Sequence, residues 1–193
     1  MRGLWKDPGG LAADYVNGRR KQYLNPARFC FVALGLWFVA LKVLGVDVLD
    51  SLGVHASVDG AEAKAVAEQV REFVRRHLDW FLFLALPARS FFFARAFRTS
   101  GRSVPACLVL VLYVAGFGFL VGILLAGLEA SGLQGAQGFR PLIGLLWSIR
   151  ATRAFFGASW RAAILKTVLV SLLHMLSTVL LVALVAVPWV MLR

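Results

Sequence analysis

The chain has 193 residues, of which 60% are hydrophobic and 16% are charged, and its formal net charge is +11. Soluble domains average about 45–50% apolar and about 25% charged residues, so a soluble protein of this length could not cover so much apolar surface. The composition excludes an ordinary soluble domain and favours an integral membrane protein, and its positive charge fits anionic membrane lipid better than nucleic acid.

The first 28 residues form a basic segment ahead of the first long apolar run. Asp7 and Pro8 can cap and start a short amphipathic helix, which Asn17-Gly18 would end. We predict that this segment lies on the cytoplasmic membrane surface, with no cleavable signal peptide. Its candidate residues for binding a lipid headgroup are Arg19, Arg20, Lys21 and Arg28. The simpler interpretation, favoured because every first span needs such a flank, is that these cations only orient and anchor the helix.

Five apolar segments are candidates for membrane-spanning helices. Ser103–Leu128 and Thr167–Leu192 each run for 26 residues without a charge, and residues 29–46 contain one, Lys42. About 20 residues are needed to cross the apolar core of a bilayer. Two further segments, Trp80–Ala94 and Pro141–Phe156, contain arginines, and hydropathy alone would also allow them to be interfacial helices.

The loop charges decide between these alternatives. Residues 95–102 and 150–166 hold only basic charges, residues 129–138 hold one acid, and residues 47–79 hold seven acids against four bases. Because basic loops stay in the cytoplasm, this alternation requires both weaker segments to cross. We therefore predict an all-α bundle with the N-terminus cytoplasmic, the C-terminus external and an external helical loop over 47–78. Its five spans are 29–46, 79–95, 103–128, 140–156 and 166–192. Three spans with two surface helices would place basic loops on the wrong side.

The residues before the first span form the pattern Gly-x-Arg-x-x-Tyr-x-x-Pro, here Gly18, Arg20, Tyr23 and Pro26. This stretch resembles a widespread bacterial family of multi-pass membrane proteins of unknown function. Residues 84–88 and 149–155 also resemble stretches found in that family. The resemblance implies a helical fold in the bacterial inner membrane and supplies no reaction. Many members of that family begin with a four-cysteine zinc ribbon, a pattern from which this sequence departs.

The third predicted span carries a small residue at every fourth position, at Gly118, Gly122 and Ala126. Such a stripe lets another helix approach closely in a membrane. We expect helix packing at this stripe, and a substrate path is the less favoured alternative.

Polar residues in two other spans are candidate intramembrane sites. Thr167, Ser171, His174 and Thr178 form a narrow stripe, which we expect to face the bundle interior because polar groups are costly in lipid. His174 is better interpreted as a hydrogen-bond donor between helices than as a proton carrier. Arg89 lies inside a span beside Pro87, where it could bind an anion or extend to the inner surface.

The sequence contains no phosphate-binding loop, metalloprotease motif or nucleophile elbow. Its histidines His55, His77 and His174 are too scattered to suggest a metal site. We predict a structural or partner-binding bundle without enzymatic activity, metal or cofactor. The expected partners are membrane lipids, a second copy or another membrane protein, and not nucleic acid. The alternative is a transporter or channel-like protein for small molecules or lipids, which predicts a polar cavity between the second, third and fifth spans.

Overall fold

The computed structural model describes residues 7–51, 61–133 and 135–191. Within these ranges the chain is helical and has no strand, so the all-α prediction is confirmed. Residues 1–6 of the predicted N-terminal segment, 52–60 of the predicted external loop and Leu192 of the last predicted span lie outside the described residues. The α-helices are α1 Pro8–Val16, α2 Pro26–Leu44, α3 Val48–Ser51, α4 Ala61–Arg76, α5 Leu78–Ala96, α6 Val104–Ala130, α7 Arg140–Phe156 and α8 Trp160–Met191.

The helices begin and end at capping residues that are visible in the sequence. Asp7 and Asn25 accept hydrogen bonds from backbone N–H groups in the first turns of α1 and α2, and both are followed by proline. Ser103 caps α6 in the same way. Gly45 and Gly157 end α2 and α7 with φ of 67° and 62°, a left-handed conformation that glycine adopts without strain.

The central helix of the fold is α6. It packs against α2 on one side, against α5 and α7 on the other, and against α1 at one end. One cluster of buried side chains joins α6 to α2 around Trp37, and a second joins it to α1, α5 and α7 around Phe155. The peripheral helix α8 packs on α4, α5 and α7.

Among the described residues, three helices are long and apolar enough to cross a membrane by length and composition, over Arg20–Leu44, Val104–Ala130 and Trp160–Val185. The sequence predicted five spans. The other two segments are helical as α5 and α7, but α5 carries Arg89 and Arg95, and α7 has 17 residues and includes three arginines. The structure thus supports three spans directly.

Tertiary contacts bring the loops together at the two ends of the helical bundle. At the first, which we call the basic end, Arg102 Nη1 donates to Asn17 Oδ1 over 3.1 Å, and Phe97 stacks on Phe156 with ring centroids 4.1 Å apart. These contacts join the end of α1, the α5–α6 loop and the α7–α8 turn. At the opposite end Arg140 Nη1 donates to the carbonyl of Ser51 over 2.9 Å, which joins α3 to the start of α7.

The amphipathic helix α4 lies at the opposite end. Its buried Phe73 contacts Trp189 of α8, with ring centroids 4.8 Å apart. Asp47 accepts hydrogen bonds from Arg71 and Arg75 over 3.2 and 2.8 Å. Partial burial lowers the pKa of Arg75, but Asp47 and Glu72 outweigh that effect and leave it above its usual value. An apolar contact and ion pairs therefore fix α4 to the bundle.

Candidate functional site

Arg89 is held inside the bundle by α7. Its Nη2 donates to Ser148 Oγ over 3.1 Å, and the guanidinium lies over the ring of Phe93, 5.7 Å from the centroid. Ser148 precedes the end of α7 by eight residues, about 12 Å along a helix. Arg89 Nε is buried and has no hydrogen-bond partner in the described part of the chain. The guanidinium of Arg89 therefore lies between α5 and α7, about two turns of α7 away from the basic end.

A second interhelical hydrogen bond lies one turn further along α7, at Thr152. Thr152 Oγ1 accompanies Ser148 on the same face of α7 and accepts or donates a hydrogen bond of 2.7 Å with Thr167 Oγ1 of α8. Both threonines are fully buried. Together with Arg89, these groups connect α5, α7 and α8. Ser148 and Thr152 were not among the residues predicted from sequence, although their four-residue spacing on one helix face is a detectable signal.

The remainder of the predicted polar stripe on α8 is placed differently. Thr178 Oγ1 donates to the carbonyl of His174 over 2.9 Å, a bond within its own helix. Ser171 and His174 are half-buried. His174 Nδ1 is buried and unpartnered within the described residues. Of the four residues of the stripe, Thr167 is the one whose side chain bonds to another helix within the described ranges.

The interior leaves little space beside these polar groups. The crevice lined by Arg89, Ser148 and Thr152 has no room for a water molecule. A second crevice, between α6 and α7, has a volume of about 20 Å³, which holds about one water. Gly118, Gly144 and Arg140 line this second crevice. In this conformation the cluster can tie helices together, and these crevices accommodate no solute larger than water.

The small residues of α6 differ in how closely neighbouring helices approach them. A Cβ added at Gly122 would lie 2.9 Å from Trp37 Nε1 of α2, and Ala126 is buried in the same cluster. A Cβ added at Gly118 would meet no heavy atom within 4 Å. Gly116 was not predicted, yet its added Cβ would lie 2.5 Å from Phe29 Cε1. The close approach of α2 therefore involves Gly116, Gly122 and Ala126.

The N-terminal helix α1 packs onto the bundle. Gly9 lies against the backbone carbonyl of Ala151 in α7, leaving no room for a side chain. Tyr23 Oη donates to Asp14 Oδ2 over 2.9 Å, and Tyr113 of α6 donates to the carbonyl of Leu24. The apolar face of α1 thus contacts protein.

The four predicted headgroup-binding cations remain exposed around this docked helix: Arg19, Arg20, Lys21 and Arg28. Asp14 Oδ1 also accepts a hydrogen bond from Arg19 over 3.4 Å. The guanidinium of Arg20 lies 5.9 Å from the ring centroid of Tyr15. Because α1 and the turn after it are fixed to the bundle, these cations are presented from a defined surface.

Comparison with known proteins identifies one similarity. A family model described as "Protein of unknown function (DUF3667)" matches residues 1–38, which include α1 and the first part of α2. No curated protein and no solved structure matches the chain. The similarity is to an uncharacterised family and covers residues 1–38 alone.

Proposed function

We propose that this chain is a five-span bundle of the bacterial inner membrane, with its N-terminus cytoplasmic and its C-terminus external. The arrangement of the loops supports this topology, because α1, the α5–α6 loop and the α7–α8 turn meet at the basic end. At 1.5 Å per residue, α5 and α7 are about 28 and 25 Å long, close to the thickness of an apolar core of about 30 Å. Both helices pack directly against the apolar α6.

Within that topology we assign the protein a structural or partner-binding role. The observation that carries this assignment is that intramembrane polar groups form hydrogen bonds across α5, α7 and α8, and the two crevices described beside them hold at most about one water. Thr152 and Thr167 illustrate it, since both are buried and 2.7 Å apart. Interhelical hydrogen bonds in membranes contribute about 0.6–2 kcal/mol each, so they favour one fixed arrangement of helices. A transporter that uses Arg89 and the α8 stripe requires these groups to face water during its cycle.

The peripheral α8 is the helix that offers most surface to a partner. Its large apolar side chains are exposed along most of its length, among them Leu172, Met175, Leu176, Leu180 and Leu184. In a membrane this face meets acyl chains, a second copy or the span of another membrane protein. The partners proposed for the bundle are therefore apolar along α8 and anionic at the basic end.

Water accessibility of the polar cluster tests the proposed role. Cys30 and Cys107 are free and would first be replaced by alanine. Single cysteines at Ser148 or Thr167 are then exposed to a membrane-impermeant maleimide from each side of the membrane. We expect no labelling from either side, because both positions are buried between helices. Labelling of either position from water would contradict the closed bundle and favour transport.

Two exposed positions serve as controls and also test the topology. Ser100 lies in the α5–α6 loop, and Gly138 lies between α6 and α7. Ser100→Cys should be labelled from the cytoplasmic side alone, and Gly138→Cys from the external side alone. If Ser100 is labelled from outside, α5 does not cross in the proposed direction and the five-span topology is wrong. Elution of each variant at the volume of the unmodified chain shows that it is folded.

A further inference from the structure

Four phenylalanines form one layer at the basic end. Phe97 at the end of α5 stacks on Phe156 at the end of α7, with ring centroids 4.1 Å apart and planes 2° from parallel. Phe155 meets Phe156 edge to face at 4.8 Å, and Phe93 meets Phe97 at 6.4 Å. We call these four rings the phenylalanine layer. It joins the cytoplasmic ends of two helices that the sequence places about 60 residues apart.

Two cations from other parts of the chain lie over this layer. The Cζ of Arg102 is 4.9 Å from the ring centroid of Phe155, and the Nζ of Lys166 is 4.8 Å from that of Phe97. A phenyl ring orients a cation through its quadrupole but carries no net charge. Arg102 is oriented further by its hydrogen bond to Asn17. Both residues are half-buried, and the rings position their side chains without neutralising their charges.

The carboxylates described near this end are already engaged elsewhere. Asp7 Oδ1 accepts the backbone N–H of Gly10 at the start of α1. Asp14 accepts hydrogen bonds from Arg19 and Tyr23. Within the described ranges, neither Arg102 nor Lys166 has a carboxylate within 4.0 Å. The anion that these two cations attract is therefore external to the described chain.

The position of the cations indicates which kind of anion fits. Arg102 precedes α6 by two residues, and Lys166 lies six residues into α8, about 9 Å along the helix. Lipid headgroups surround the ends of spanning helices. Beside Lys166 on α8, Leu165 and Leu169 are 71% and 51% exposed, and they provide an apolar surface for acyl chains. A phosphate group joined to acyl chains matches both the cations and this surface, whereas an acidic peptide or a free phosphate matches only the cations.

We propose that Arg102 and Lys166, held on the phenylalanine layer, bind the phosphate of an anionic phospholipid in the leaflet at the basic end. This inference rests on the proposed membrane location of the basic end. The exposed Arg19, Arg20 and Lys21 add long-range attraction for anionic lipid. The binding pair is distinct from these N-terminal cations, since it comes from the α5–α6 loop and from α8.

Lipid binding to the purified full-length chain in detergent tests the proposal. Phosphatidylglycerol is titrated, and the bound lipid is counted by native mass spectrometry. The double variant Arg102→Gln/Lys166→Gln should bind phosphatidylglycerol about tenfold to thirtyfold more weakly, because a cation near a headgroup contributes about 1 kcal/mol. Phosphatidylcholine should bind the double variant as it binds the unmodified chain.

A matched control removes the same charge at the opposite end. Lys64 and Arg76 are exposed on α4, so Lys64→Gln/Arg76→Gln should change phosphatidylglycerol affinity less than twofold. The charge-retaining variant Arg102→Lys/Lys166→Arg should keep most of the binding and shows whether loss follows charge or misfolding. Equal losses in the two Gln double variants would overturn the proposal.

Inorganic phosphate distinguishes the source of the anion. Millimolar phosphate should displace little phosphatidylglycerol, because it does not engage the apolar surface of α8. If phosphate competes as effectively as the lipid, or if the Arg102→Gln/Lys166→Gln variant binds phosphatidylglycerol normally, the lipid site is wrong. This measurement in detergent does not depend on membrane orientation, so its failure is separable from failure of the topology, which the labelling of Ser100→Cys reports.

Discussion

The helices α6 and α8 are nearly alike in sequence character but differ in position. The most apolar 18-residue stretches within Val104–Ala130 and Trp160–Val185 have mean hydropathies of 2.7 and 2.5. In the most apolar stretch of α6, 61% of the residues are buried inside the protein, against 6% in α8. Hydropathy therefore identifies a segment that avoids water, but it does not tell whether protein or lipid replaces the water.

The difference between the two helices follows from side-chain size and hydrogen bonding. Gly116, Gly122 and Ala126 allow α2 to approach α6 closely. Along α8, bulky side chains such as Leu172 and Leu176 face outward, and Thr167 attaches the helix to α7. Because lipid is as apolar as leucine, close packing and polar contacts decide which helix occupies the centre.

A leucine truncation in each helix tests the comparison with the largest expected effect. Leu110 of α6 is 1% exposed and Leu176 of α8 is 56% exposed. Leu110→Ala should lower the free energy of unfolding by about 2–5 kcal/mol because it leaves a cavity, and Leu176→Ala should change it by less than about 0.5 kcal/mol. Titration with dodecyl sulfate in mixed micelles measures both. Equal losses would show that α8 is as enclosed as α6.

A glycine substitution sharpens the comparison within α6. Gly122→Leu should cost about 1–3 kcal/mol, because the added side chain would overlap Trp37 and Arg140. Gly118→Leu should be neutral or stabilising, since no heavy atom lies within 4 Å of an added Cβ and leucine favours a helix more than glycine does. Ala183→Leu on the exposed face of α8 is a further control. Thermal stability in detergent gives the ranking, and a large loss at Gly118 would contradict the packing seen here.

The attachment of α8 to α7 can be tested by removing one hydroxyl. Thr167→Val should cost about 0.6–2 kcal/mol, the range for interhelical hydrogen bonds in membranes. Thr178→Val should cost less, because that hydroxyl bonds to a carbonyl of its own helix. A double-mutant cycle with Thr152→Val isolates the pair. Absence of coupling between Thr152 and Thr167 would remove this bond as a reason for the position of α8.

The smallest effect is expected at His174. Its Nδ1 has no hydrogen-bond partner in the described part of the chain, so His174→Leu should change the free energy of unfolding by less than about 0.6 kcal/mol. The same dodecyl sulfate titration measures it beside Thr167→Val. A loss at His174 larger than that at Thr167 would reveal a partner for the imidazole and would favour a functional role for the α8 stripe.

Local features of the fold were predictable because their causes are local. Asp7, Asn25 and Ser103 cap helices through hydrogen bonds to residues two or three positions away. The predicted grouping of Gly118 with Gly122 illustrates the limit of prediction from local patterns. Four-residue spacing places both glycines on one face of α6 but does not show where α2 crosses that helix. The role of Ser148 was not predicted, because one small polar residue hardly changes the hydropathy of α7. Such a residue can also satisfy its hydroxyl within its own helix, as Ser148 does by donating to the carbonyl of Gly144.

The sequence alone determined that the chain is strongly apolar, that its apolar segments are helices, and which loops are basic. Each of these properties depends on composition or on neighbours within a few residues. Tertiary structure alone decided that α6 is central, that Arg89 meets Ser148, and that Arg102 and Lys166 share one phenylalanine layer. Those outcomes join residues far apart in the chain, and in an apolar medium they depend on shape and hydrogen bonding, which hydropathy does not record.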